Sequence, residues 1–204
     1  LIVVVAVTTS VLTSVLLSRY YLRGIERLLD LRAGLAASAS LTRAGAAGEF
    51  WSAEELSQLE RDIDVTTIWV IGQDFSGDLT EGAPFLSVIR YNVYQRGVSY
   101  VYIAPDLALP RHQIGALRAA LNLSVDDVRL RGIMVSHADW ARLPYTDGNV
   151  TFYDPSTPRR TTAGYFWYPG GDGASFGRLG TDVVTKWVAQ IEEICPSVST
   201  GPTA

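Results

Sequence analysis

The chain has 204 residues, 48% of them hydrophobic, and 17 Lys and Arg against 21 Asp and Glu give a formal net charge of −4. That acidic balance argues against bulk nucleic-acid binding, which depends on neutralising phosphates. A single cysteine, Cys195, excludes an internal disulfide and fits a reducing compartment. His112, His137 and Cys195 are too scattered to suggest a metal site, so neither metal nor cofactor is expected.

Residues 1–17 carry no charge, and Arg19, Tyr20, Tyr21 and Arg23 follow closely. A span needs roughly 20 apolar residues to cross the hydrocarbon. Residues 1–23 therefore read as a transmembrane helix with an aromatic and basic interface belt. A signal peptide would need a basic start, and a buried core helix would be unusual without charge over this length. Residues 1–48 hold five Arg against two acids, and the remainder holds twelve basic and nineteen acidic residues. The positive-inside tendency then expects a single-pass protein of the cell membrane with its C-terminal domain cytoplasmic.

Residues 24–48 read as a juxtamembrane helix and linker. Leu17, Tyr21, Gly24, Leu28, Leu31 and Leu35 recur at spacings of four and three, either a self-association seam or simply an amphipathic helix. Gly34, Gly45 and Gly48 among Ala and Ser mark a domain boundary, so residues 49–195 form the expected globular domain. The tail 196–204 reads as disordered.

Ser52-Ala53-Glu54-Glu55 is a capping box, with Trp51 and Leu56 placed as a hydrophobic staple, and predicts a helix to about Asp62. Residues 66–71 form a β-branched run and predict a buried strand. A helix is expected over 84–95, stopped by Gly97, then a strand over 99–104 closed by Pro105. A helix over 113–121, a strand over 128–135 and a short helical turn over 139–142 follow. Strands are expected over 150–153 and 163–168, paired as a hairpin, and a closing helix over 181–194. The expected fold is α/β: a mixed, largely parallel sheet flanked by helices and preceded by one transmembrane helix.

Ile68-Trp69-Val70-Ile71, Asp74, Asn92, Arg96-Gly97 and Tyr100-Val101-Tyr102-Ile103-Ala104-Pro105 resemble the opening half of phospholipase D-like domains. Phe152-Tyr153-Asp154-Pro155, Gly164-Tyr165 and the closing helix extend the resemblance over residues 50–195. That family's phosphodiesterases use H-x-K-x4-D, with the His as nucleophile and the Lys on the phosphate. Here neither His112 nor His137 has Lys two positions on, and Lys186 is the sole lysine. The resemblance thus implies the fold without its activity. The chain is also similar in plan to effectors of prokaryotic antiviral signalling that join one membrane helix to a nucleotide-sensing domain.

Three loops carry candidate chemistry. Asp74 and Ser76 follow the first buried strand, where ligands of parallel sheets bind, although an Asx-turn explains them equally. Gly170, Gly171, Gly173, Arg178 and Thr181 could hold an anion at the start of the last helix. His137 and Asp139 could form a base and its orienter, and His112 is a further catalytic candidate. The expected function is a non-catalytic sensor or effector. It would bind a small anionic ligand, such as a nucleotide or phosphoester, or a partner, and couple binding to the membrane helix as a homo-oligomer. The alternatives are a phosphodiesterase with a displaced active site and a passive membrane scaffold.

Overall fold

The computed structural model describes residues 50–80, 82, 84–144, 148–155, 163–170 and 173–199. Seven strands form one sheet: β1 (Phe50–Ser52), β2 (Thr67–Ile71), β3 (Ser99–Pro105), β4 (Leu130–Val135), β5 (Val150–Tyr153), β6 (Ala163–Gly170) and β7 (Gly173–Arg178). Their spatial order is β1-β7-β6-β5-β2-β3-β4. The helices are α1 (Ala53–Asp62), α2 (Ser76–Leu79), α3 (Pro84–Tyr91), α4 (Ala108–Ala120), α5 (His137–Trp140) and α6 (Thr181–Ile194).

The α/β expectation holds, with two corrections. The sheet is mixed but not largely parallel: only β2–β3 and β3–β4 run parallel, while β2–β5, β5–β6, β6–β7 and β1–β7 are antiparallel. The described chain from 150 to 178 has no helix between strands, and parallel pairing requires a long crossover. The second correction concerns the membrane helix. Among the described residues no helix is long and apolar enough to cross a membrane. The longest of them, α6, has 14 residues, short of a span, and carries Lys186, Glu192 and Glu193. Residues 1–23 and 24–48, which carried the membrane and self-association expectations, lie outside the described residues.

Local chemistry explains most boundaries. The capping box at α1 is present: Glu55 N–H donates to Ser52 Oγ at 3.2 Å, and Ser52 N–H donates to Glu55 Oε2 at 2.7 Å. The helix expected over 84–95 divides. Regular α3 ends at Tyr91, and residues Asn92–Arg96 form a π-helical turn closed by Gly97 at φ 68°. Glycine, lacking a Cβ, adopts that conformation without steric cost. The wider turn serves α1, because Arg96 donates to the carbonyls of Arg61 at 2.7 Å and of Ile63, both orphaned at the helix C-terminus. Residues 196–198, expected within a disordered tail, form a 3-10 turn with Val198 buried; Arg131 donates to the Ser197 and Val198 carbonyls.

Strand alternation divides the core into two layers. Ile68, Val70, Tyr100, Tyr102, Leu130 and Tyr153 pack with Leu56 of α1, Ile89 of α3, and Ile114 and Leu117 of α4. Trp69, Val101, Ile103 and Phe152 alternate with these and are equally buried. Their layer is closed by α6: a Cβ at Gly164, the partner of Phe152, would press on Val184. The candidate site lies in the first layer, where α1, α2 and α3 cross the sheet.

Candidate functional site

β2 ends at Ile71, and the chain turns at Gly72 against Asn149. No Cβ fits at Gly72, because the Asn149 amide and the Phe75 ring occupy the space. The following loop is tightly held. Asp74 Oδ1 accepts from Ser76 N–H at 2.8 Å and from Gln113 Nε2 at 2.7 Å. Gln113 Oε1 accepts from Phe75 N–H at 2.9 Å, and Asn149 Nδ2 donates to the Asp74 carbonyl at 2.8 Å. The Ser76 N–H and the Gln113 amide hold the Asp74 carboxyl below its ordinary value. This is an Asx-turn, and it also fixes the entrance to a cavity.

The cavity has a volume of about 720 Å³. Val70, Tyr100 and Tyr102 of the sheet form its floor, and Leu56, Glu60, Phe85 and Ile89 of α1 and α3 form one wall. Thr151, Trp167 and Phe176 extend the lining along the sheet, and Phe85 meets Phe176 edge to face at 5.6 Å. Gln73, Asp74, Ser76 and Asn149 line its polar end.

Two carboxyl groups are set into this lining. Glu60 projects from the buried face of α1 and is 4% exposed. Its Oε1 accepts from the Tyr100 hydroxyl at 2.6 Å and its Oε2 from the Tyr153 hydroxyl at 2.9 Å. Asn92, on the π-turn, donates to Tyr100 Oη at 2.9 Å and to the Glu60 carbonyl at 3.1 Å. Burial pushes the Glu60 carboxyl from 4.5 up to about 7, against the pull of both tyrosine hydroxyls. Asp78 of α2 lies deep in the fold yet keeps partial exposure, and it borders the cavity. It accepts from the Tyr102 hydroxyl at 2.9 Å, and burial pushes it from 3.8 up to about 6. Burial, then the neighbouring carboxylates, drive Tyr100, Tyr102 and Tyr153 well above their ordinary values, so they remain hydroxyl donors.

Of the residues expected from sequence, Asp74 and Ser76 line the cavity. The anion-loop residues do not meet there. The stretch read as a loop is instead a strand pair: β6 runs to Gly170, β7 starts at Gly173, and these two glycines pair. Gly171 lies outside the described residues. Gly177 has a packing role, since a Cβ there would strike the Phe166 ring. Arg178 is exposed at the end of β7, and Thr181 opens α6 with Gly180 as its N-cap. His112 is exposed on α4, and His137 is exposed at the start of α5. Asp139 accepts from Ser136 Oγ at 2.8 Å and pairs with Arg142 at 3.2 Å rather than orienting His137. Neither histidine lines the cavity. Among the described residues no three His, Cys, Asp or Glu are grouped to hold a metal ion.

Sequence reasoning missed Glu60, Asp78 and the three tyrosine hydroxyls. One signal was present: Glu60 follows Leu56 by four residues, an acid on the apolar stripe of a short amphipathic helix. No protein-family profile, curated protein or solved structure matches this chain.

Proposed function

We propose that the domain is a small-molecule-binding module whose ligand occupies the cleft over β2 and β3, between α1, α2 and α3. The observation that carries this reading is a cavity of about 720 Å³ with Glu60 and Asp78 set into its lining. Ligand sites commonly enclose about 300–1,000 Å³ of mainly apolar wall with a few convergent polar groups. An acid that only helped folding would be an expensive choice at both positions, since apolar burial avoids the desolvation cost. The polar end is held by Gln113 and Asn149 before any ligand arrives, which lowers the ordering cost of binding.

The lining speaks against the anionic ligand expected from sequence. Glu60, Asp74 and Asp78 are present, and no Lys, Arg or His belongs to it among the described residues. A phosphoester would meet three acids without a compensating base. The same absence speaks against phospholipase D-like chemistry, which needs His and Lys at the phosphate.

One observation favours a second reading. Glu60 sits at about 7, where a carboxyl exchanges its proton near neutral pH and suits general acid–base work. A binding screen of the full chain by thermal shift, with mass spectrometry of each hit, tests both. A ligand that raises the midpoint and is recovered unchanged supports the binding module. A ligand that is consumed, with turnover lost in Glu60→Gln, supports the catalyst. Gly77→Trp is the site control. Gly77 lines the cleft, and a Cβ there meets nothing within 4 Å, so the backbone accepts a side chain at this position. Hits insensitive to Gly77→Trp would place the ligand elsewhere and contradict the proposal.

A further inference from the structure

We infer that the ligand of this cleft carries a cationic nitrogen, an ammonium or amidinium, on a compact aromatic body, with the cation seated at Asp78. The inference rests on the reading of the cleft as a small-molecule site. Four features lead to it.

The charged lining has one sign. Asp74, Asp78 and Glu60 contribute carboxyl groups, and among the described residues no basic side chain joins them. Arg96, which reaches the backbone of Glu60, is committed to the carbonyls that end α1. Asp78 also has unused capacity. Among the described residues only Tyr102 donates to its side chain, at Oδ2, and none of them donates to Oδ1. An ammonium or amidinium supplies the missing donor and the missing charge together. Glu60, by contrast, already receives one hydroxyl on each oxygen, so it contributes field rather than an open acceptor. Finally, much of the lining is aromatic. Phe85 and Phe176 meet edge to face at 5.6 Å, and Trp167 and Tyr102 border the same space. Such faces accept a flat apolar body and attract its cation.

The electrostatics make binding proton-linked. The groups facing Asp78 are Tyr102 and Tyr100 from β3 and Glu60 from α1, with Asp74 on its own loop. Tyr100, Tyr153 and Asn92 face Glu60, with Tyr165 behind Tyr153 and Arg96 on the α1 carbonyls. None of these donates a positive charge to either carboxyl. In the free protein Asp78 is therefore partly protonated near neutral pH, and a bound cation drives that proton off. Affinity for a cation rises as pH increases through about 6, rises further as Glu60 becomes charged through about 7, and then levels.

The test uses three probes that share one phenol ring: tyramine, tyrosol and 4-hydroxyphenylacetate, which end in an ammonium, a hydroxyl and a carboxylate. Each is titrated into the full chain by isothermal calorimetry, in two buffers of different ionisation enthalpy. Tyramine is expected to bind about tenfold or more tighter than tyrosol, with proton release and with 4-hydroxyphenylacetate weakest. Asp78→Asn should reduce the tyramine preference over tyrosol to about twofold, with an unchanged circular dichroism spectrum and thermal midpoint reporting an intact fold. Equal or tighter binding of tyrosol or of the acid overturns the cationic ligand and leaves the cleft reading standing. Tyramine preference that survives Asp78→Asn overturns the seat. Absence of binding by all three up to roughly 10 mM, where even weak fragments register, overturns the cleft reading together with the cation.

Discussion

The two faces of the sheet are built from the same strands to opposite specifications. On β3, Val101 and Ile103 point into the layer closed by α6, while Tyr100 and Tyr102 point into the layer under α1 and α3. The α6 layer is apolar: Trp69, Ile71, Phe152, Val184, Val188 and Ile191 fill it. The α1 layer is as deeply buried at its floor yet holds two carboxyls, three tyrosine hydroxyls and an open cavity. Dry packing of the second kind of layer would be more stable, since a buried acid loses hydration that two hydroxyl donors replace only in part. The difference separates a face that holds the fold from a face that gives up stability for a site.

The largest effect is expected on the α6 side. Phe152→Ala removes a fully buried ring packed beside Gly164 and should cost about 3–5 kcal/mol in urea denaturation. A loss near zero would mean that the α6 layer is not the structural one.

The next effect is the pH dependence of the α1 layer. Glu60 and Asp78 have folded values of about 7 and about 6, raised from 4.5 and 3.8, so the folded state binds more protons than the unfolded chain between these limits. Stability from these groups is greatest below about pH 4 and is lost as pH rises through about 7. The loss amounts to a few kcal/mol, since each tenfold change in proton affinity is worth about 1.4 kcal/mol. Asp127 has the opposite sign: Arg129 holds its carboxyl at about 2, so it contributes above about pH 4 and fades as pH falls toward 2. The urea midpoint should therefore be highest in mild acid and fall toward pH 8, and Glu60→Gln should flatten that fall. A midpoint that rises steadily from pH 5 to 8 would show that the carboxyls are not held as described.

A smaller change sharpens the picture. Tyr153→Phe removes one of the two donors to Glu60 and should cost about 1–2 kcal/mol at pH 8, where the carboxyl is charged, and less at pH 5. The smallest effect belongs to the surface. Arg111 and Asp106 pair across side chains that are 56% and 51% exposed, so Arg111→Ala should change stability by less than about 0.5 kcal/mol.

Most of the framework was legible in the sequence because it rests on local signals. The capping box at Ser52, the β-branched run before Gly72 and the stop at Gly97 each act within a few residues. The glycine-rich stretch before α6 misled because glycine serves two purposes. Gly170 and Gly173 looked like phosphate-loop freedom but pair across β6 and β7, and the nearby Gly177 makes room for Phe166, a neighbour that only the register reveals. The site was less legible for a related reason. Asp74 and Ser76 announced themselves at a strand end, whereas Glu60 acquires its character from Tyr100 and Tyr153, which lie 40 and 93 residues away. An acid on an apolar helix stripe is the trace that such a partnership leaves in a single sequence.

The most direct test of the account is a carbon-13 NMR titration of the Glu60 and Asp78 side-chain carboxyls in the full chain, assigned with Glu60→Gln and Asp78→Asn. Midpoints of about 7 and about 6 are expected, with the Asp78 midpoint moving down when tyramine is added. Midpoints near 4 for both, unmoved by tyramine, would show two ordinary hydrated carboxylates and contradict the claim that this cleft is a poised binding site.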